Sequence, residues 1–199
     1  MNERHVPVLE TSRLTLTLPA PDDADALVAY LERNREHLRP WSPPEAPGAR
    51  TLEGARRRIE KMHVELDTGA AVRFWLYPRD PAAPRLVGAV SLSNIVLGPF
   101  RACYLGYQLD RTFEGRGLMH EALTAVIRYA FDELRLHRIM ANYVPTNARS
   151  GSVLRRLGFV IEGYAHDYLF IGGCFRDHIL TALTNQHLAD AEALCTPGG

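Results

Sequence analysis

Cysteine is scarce: Cys103, Cys174 and Cys195 are the three in 199 residues, and no two form a Cys-x-x-Cys pair. A disulfide framework and a zinc knuckle are therefore not expected. Cys103 and Cys174 fall in apolar strand-like runs, where a buried small hydrophobe is the default. Histidine is commoner, at eight, but lacks the His-Glu-x-x-His or paired spacing of a metal ligand set, so no metal site is expected. Neither sign of charge is in excess, since Lys plus Arg total 23 and Asp plus Glu total 23. A stand-alone nucleic-acid binder carries a basic surplus, so no direct nucleic-acid binding is expected. Arg56-Arg57-Arg58 and Arg155-Arg156 are short basic runs, read as solvated helix faces. No apolar run approaches transmembrane length and the N-terminus lacks an apolar signal segment. Those absences predict a cytoplasmic chain with no membrane association. Internal repeats and low-complexity linkers are also missing. The expectation is one domain over residues 1–199, with a core at about 13–184 and a flexible C-terminal tail.

What is present is alternation and helical periodicity. Leu14 to Leu18 alternates apolar and polar, as a half-buried strand does. Asp22 and Asp23 then precede Ala26, Leu27, Tyr30 and Leu31 at helical spacing, predicting a helix to about His37. Four prolines between Arg39 and Gly48 predict a loop, with Trp41 its large aromatic. Thr51 is a candidate N-cap for a second helix ending near Thr68-Gly69. Strands are expected at Val72–Tyr77, Leu86–Leu97 with a bulge at Gly88, and Ala102–Leu109. An apolar stripe from Leu118 to about Leu134 predicts a long helix. A strand at His137–Val144, a short helix at Ala148–Leu157 and a hairpin about Gly172-Gly173 complete the chain, before a frayed helix from Gln186. The fold class is α+β, with a mixed, mostly antiparallel sheet of six to seven strands and about four helices.

The stretch Glu114-Gly115-Arg116-Gly117-Leu118-Met119 separates the strand ending at Leu109 from the long helix. A glycine-rich turn at a helix start presents unpaired N–H groups and the positive end of the dipole, which suits an anion. A triphosphate P-loop is excluded, because no Gly-Lys-Ser/Thr follows. A dinucleotide fingerprint is excluded too, for want of a third glycine and of an acidic residue ending the next strand.

The combination of this turn with Asn147-Ala148-Arg149-Ser150 and Gly158-Phe159 resembles the GCN5-related N-acetyltransferases. Their pyrophosphate loop reads Arg/Gln-x-x-Gly-x-Gly/Ala and is followed by Asn-x-x-Ser/Ala and a Gly-Phe. The resemblance covers roughly Arg13 to Leu183, and Arg176 to Leu183 looks most like the ribosomal-protein-alanine N-acetyltransferases. Two positions depart: Glu114 replaces Arg or Gln, and Met119 replaces Gly or Ala. Glu114 brings a carboxylate to a phosphate site unless it turns outward or Arg116 offsets it.

The resemblance implies acetyl-CoA as cosubstrate, splayed central strands, and acetyl transfer to a primary amine. The implied acceptor is the N-terminal α-amine of a protein beginning with Ala, such as a ribosomal protein. A small amine (antibiotic or polyamine) and a non-catalytic acyl-CoA module are the alternatives, and monomer and homodimer both stay open. Backbone N–H groups of Gly115, Arg116, Gly117, Leu118, Met119 and His120 would hold the pyrophosphate, with Glu114 beside them. A backbone donor at Gln108 or Leu109 would polarise the thioester carbonyl, and Asn147 would bond the cofactor arm. Ser150 or Ser152 would protonate the leaving thiolate, since Leu154 stands where the family often has an acidic Tyr. Asn142 stands where some relatives carry a basic Glu, and an amide cannot take that proton. Glu162, Asp167, His120 and water relayed to Tyr104 or Tyr143 are the remaining bases, so Ser150, Asn142 and Glu162 make the catalytic set.

Overall fold

The computed structural model describes residues 7–82 and 85–188. Eight strands form one sheet: β1 (Leu9–Glu10), β2 (Leu14–Thr17), β3 (Ala71–Pro78), β4 (Gly88–Val96), β5 (Ala102–Leu109), β6 (Arg138–Tyr143), β7 (Val160–Ile171) and β8 (Cys174–Thr184). Their order is β1-β2-β3-β4-β5-β6-β8-β7. Every neighbouring pair is antiparallel except β5 and β6. That parallel pair requires a crossover, supplied by the helix α4 (Leu118–Asp132). The remaining helices are α1 (Ala24–Arg33), α2 (Arg35–Leu38), α3 (Leu52–Asp67) and α5 (Ala148–Arg156), with 3-10 turns at Arg39–Trp41 and Arg111–Phe113.

Alternation along the strands sends side chains to two cores. Leu14, Leu16, Phe74, Leu76, Val90, Leu92, Cys103, Leu105 and Ile139 meet Ala122, Leu123, Val126 and Ala130 of α4 on one face. On the other, Trp75 meets Leu27, Tyr30 and Leu31 of α1 and Ala55 and Ile59 of α3. No helix among the described residues is long and apolar enough to cross a membrane.

The count of strands exceeds six to seven because β1 has two residues, too few to show a period. The first helix ends at Arg33 rather than His37, and α2 follows as a separate turn. Asn34 explains the break. Its Nδ2 donates to Tyr30 O (3.0 Å) and Asp110 Oδ2 (3.2 Å), and its Oδ1 accepts from Arg111 N–H (3.1 Å). The bulge in β4 falls between Ser93 and Val96 instead of at Gly88. Gly88 stays in register opposite Leu109, and a Cβ there would meet Gln108 O at 2.7 Å, so this glycine serves close strand approach. Thr51 caps α3 as expected, accepting from Gly54 N–H at 3.1 Å. Cys103 is buried, but Cys174 is exposed because it begins β8 at the hairpin tip. Residues 186 and 187 form a turn where the tail helix was expected to begin, and the rest of that helix and Cys195 lie outside the described residues.

Candidate active site

The opening in the sheet follows from how β5 and β6 pair. Their ladder holds Ala102↔Arg138, Cys103↔Ile139 and Tyr104↔Met140, and goes no further. Beyond Tyr104 the two strands part, while β5 remains bonded to β4 as far as Leu109. Asp110 N–H donates to Val87 O at 2.7 Å, which makes that opposed pair a hydrogen-bonded one. Alternation then turns the backbone of Gln108 and Gly106 to β4, and that of Leu109, Tyr107 and Leu105 toward the gap. Of the two expected thioester donors, Leu109 faces the gap and Gln108 does not.

The glycine turn lies past the end of β5. Gly115 has φ 73° and Gly117 has φ 75°, a left-handed conformation that glycine adopts without strain. Added Cβ atoms would find open space at Gly115 and only Arg13 Nη2, 3.7 Å away, at Gly117. Gly117 caps α4, and the first bond of the helix runs from Glu121 N–H to Gly117 O at 3.1 Å. The N–H groups of Leu118, Met119 and His120 therefore precede the ladder and point out of the helix end. Leu118 and Met119 bury their side chains in the core, each 7% exposed, so Met119 offers only backbone to a ligand.

Side chains far away in sequence hold this turn. Arg13 Nη1 donates to Arg116 O at 2.8 Å and Arg13 Nε to Glu121 Oε2 at 2.7 Å, while Arg13 N–H and Ser12 Oγ both donate to Glu121 Oε1 at 2.9 Å. Burial alone would raise the Glu121 pKa; hydrogen bonds from Thr11, Arg13 and Ser12 outweigh it and lower it to about 2. Asp110 is 1% exposed and accepts from Arg33 Nε (2.6 Å), Asn34 Nδ2 (3.2 Å), Thr112 N–H (2.9 Å) and Thr112 Oγ1 (2.6 Å). Burial again opposes ionisation there, and these donors hold the carboxyl well below the usual range. Glu114 is neutralised, though not by Arg116. Arg149 Nη1 donates to it at 2.5 Å and His37 Nε2 lies 3.1 Å away, whereas Arg116 stacks on the Phe113 ring at 5.3 Å.

The wall of the gap on the α5 side is built from Ser150, Gly151, Tyr107 and Tyr143. Asn147 caps α5, its Oδ1 accepting from Ser150 N–H at 3.2 Å. Ser150 Oγ and Tyr107 Oη are 2.7 Å apart. Burial pushes the Tyr107 hydroxyl up to about 12, assisted by Tyr143 and opposed by the bond to Ser150. Ser152 lies two residues on, roughly 200° around the helix, and so faces elsewhere. Leu154 is buried in the core, 1% exposed.

Across the sheet, on the α1–α3 face, Asn142 Nδ2 donates to Tyr168 Oη at 3.1 Å and its Oδ1 accepts from Thr181 N–H at 3.4 Å. Burial raises the Tyr168 pKa, and its hydrogen bond with Tyr104 raises it further. Asn142 thus links Tyr168 to the β8 backbone at Thr181. Glu162 is removed from the gap. It pairs with Arg138, at the closed end of the β5–β6 ladder. Asp167 N–H donates to Asp177 Oδ1 (2.9 Å) on the exposed hairpin, and the His120 side chain lines a groove of about 670 Å³ outside α4, with Arg13, Arg128 and Arg156.

A family model described as "Acetyltransferase (GNAT) domain" matches residues 13–160. The chain belongs to this family. It is an acetyl-CoA-dependent N-acetyltransferase, and the splayed strands and open glycine turn suit that cosubstrate. The GNAT chain is 46% identical over 176 residues to the [ribosomal protein uS5]-alanine N-acetyltransferase of Escherichia coli, covering 88% of this chain and 90% of the relative. It is 36% identical to the probable N-acetyltransferase YjcK of Bacillus subtilis, over 82% of this chain and 89% of that one. The crystal structure of ribosomal-protein-S5-alanine acetyltransferase from Vibrio fischeri superposes with TM-score 0.86 at 36% identity, covering 92% and 100% of the two chains. Mycobacterium smegmatis RimJ in complex with CoA-disulfide superposes with TM-score 0.83 at 26% identity, covering 94% and 90%.

The residues missed from sequence are Arg13, Glu121, Asp110, Arg33, Asn34 and Tyr107 in its pairing with Ser150. Glu121 in the first turn of α4 was a visible dipole partner, but nothing in the sequence named Arg13 as its mate.

Proposed function

We propose that this acetyltransferase, as a single domain, modifies the N-terminal α-amine of a ribosomal protein that begins with alanine, in the cytoplasm. The supporting observation is the 46% identity to the E. coli uS5-alanine enzyme over 88% of the chain. The acetyl-CoA thioester supplies the activated acyl group. The N–H groups of Gly115 to His120 hold its pyrophosphate, Asn147 Nδ2 bonds its arm, and Leu109 N–H polarises the carbonyl.

The amine attacks the carbonyl carbon, the C–S bond breaks, and the electron pair leaves on sulfur. Ser150 Oγ–H gives the thiolate its proton and is resupplied from Tyr107 Oη, 2.7 Å away, while the proton shed by the acylated nitrogen returns to Tyr107 through solvent. No carboxylate among the candidates reaches the gap unpaired. An α-amine titrates near pH ~8, so roughly a tenth is neutral at pH 7, and water suffices to carry away its proton.

A thiol-release assay tests the reading. CoA release with Ala-starting peptides supports it. Release only with polyamines or other small amines would sink the acceptor assignment, and acetyl-CoA binding with no turnover on any amine would sink catalysis. Ser150→Ala is expected to lower kcat by roughly 100-fold or more with little change in the KM for acetyl-CoA, and Tyr107→Phe by less.

A further inference from the structure

The α1–α3 face of the sheet carries a basic cluster that the acetyl transfer does not use. Arg58 and Lys61 on α3 and Arg73 on β3 line a pocket of about 190 Å³ with Met62 and Glu65. Glu65 is the one carboxylate in it, and it is shared. Arg73 Nη2 lies 2.8 Å from Glu65 Oε2, and Lys61 Nζ is 3.8 Å from Oε1. Three cations against one anion leave two positive charges uncompensated within the pocket. Arg58 has no carboxylate within salt-bridge distance among the described residues. Glu45, whose charge reaches it, is bonded by Arg50 at 2.6 and 2.8 Å. Arg58 is exposed as a residue, yet its charged end is crowded. Desolvation, and then the charge of Arg73, hold its pKa below the ordinary arginine value.

Position gives these charges a use. Arg73 pairs with Ser91 and Ser91 with Gly106, so the three sit in one row running across β3, β4 and β5 to the rim of the gap. Trp75 and Ala89 belong to the α1–α3 core, which places the row of Arg73 and Ser91 on that same face. Gly106 is exposed and Ser91 half-buried, so the floor between the gap and Arg73 is uncovered. The hairpin tip rests on the segment after α2, where Gly172 N–H donates to Ser42 O at 3.1 Å. Leu109 stands in register with Gly88 and Leu76, three residues along from the row of Arg73. The two are about 10 Å apart along the strands and about 10 Å across them, roughly 14 Å in all, which an extended peptide with the reach of its own acidic side chain covers in about three to four residues.

Resting on the acceptor assignment above, we infer that Arg58, Lys61 and Arg73 form a specificity subsite for an acidic side chain near the fourth residue of the acceptor polypeptide. Glu65 holds Arg73 in place, and Arg58 is the cation left for the incoming carboxylate. The pairing takes place at a surface, so its contribution is a few-fold in KM.

The test compares short Ala-starting peptides that differ only in having Glu, Gln or Lys at the fourth residue. The expected KM for the Glu peptide is roughly 3- to 10-fold below that for the Lys peptide, and the gap narrows with added salt. Arg58→Gln brings the ratio toward one, and Arg58→Glu reverses it. Arg58 belongs to neither apolar core, and the KM for acetyl-CoA reports whether each variant keeps an intact site. Equal KM values for the three peptides, with turnover intact, would overturn the subsite and leave the acceptor assignment standing. Failure to turn over any Ala peptide would overturn both. Binding of an RNA hairpin that Arg58→Glu abolishes, without peptide discrimination, would assign these cations to nucleic acid and overturn the inference.

Discussion

Replacing Gly117 by alanine separates what the glycine does for folding from what it does for the cosubstrate. Its φ of 75° and ψ of 3° lie in the left-handed region, where a Cβ costs about 1–2 kcal/mol. No collision adds to this, because the nearest atom to the new Cβ is Arg13 Nη2 at 3.7 Å, an ordinary contact. For a chain of 199 residues each kcal/mol moves Tm by roughly 2–4 °C, so a drop of about 2–8 °C is expected. Gly69 is the control. It has φ 71° and open space about its Cβ, and it precedes the opposite end of β3. Gly69→Ala should lose similar stability. Only Gly117→Ala should also lose cosubstrate, since a methyl at the helix cap holds the phosphates off N–H donors whose bonds to a charged group contribute about 1.5–3 kcal/mol each. One such bond lost weakens acetyl-CoA by roughly 10- to 100-fold. Calorimetric titration and ligand-dependent melting measure both quantities in both variants. Gly117→Ala binding acetyl-CoA as tightly as Gly69→Ala, while melting lower than wild type, would refute the phosphate-turn assignment.

Three further outcomes follow from the contacts. Asp110 and Glu121 both have folded pKa values below their unfolded ones, so the stability they contribute is complete above about pH 5 and is lost as pH falls through about 4 toward 2. Asp110→Asn should remove about 3–5 kcal/mol at neutral pH and flatten that acid slope, as read by chemical denaturation across pH; an unchanged slope would contradict it. Gly151→Ala places a Cβ 2.8 Å from the Tyr143 ring, so the usual gain of about 1 kcal/mol for alanine in a helix should be absent, and should return when Tyr143→Ala is combined with it. Arg13→Met should raise the KM for acetyl-CoA several-fold by releasing Arg116 O and Glu121, with peptide KM little changed; equal effects on both would argue for general unfolding.

Sequence alone determined the order of elements, because alternation and helical period are local properties written residue by residue. β5, α4, the hairpin about Gly172-Gly173 and the glycine turn were all legible in that way. The cosubstrate was legible only through resemblance, because Gly117, Asn147, Ser150 and Gly158-Phe159 match the motif order of the GCN5-related N-acetyltransferases. Short elements were not legible: β1 has two residues, and α2 separates from α1 only because Asn34 bonds Asp110 and Arg111, 76 and 77 residues away. The hydroxyl pair proposed above to carry the proton was likewise hidden. Tyr107 and Ser150 stand 43 positions apart, and only the parting of β5 from β6 turns one toward the other. Glu162 read as a base until the register put Arg138 beside it at the closed end of the ladder. Arg58 read as part of a solvated run until tertiary structure set it beside Arg73, with Glu65 already shared by Lys61 and Arg73. Periodicity and motif spacing are carried by neighbours along the chain, whereas pairing of charges and hydroxyls depends on which strands meet and where they part.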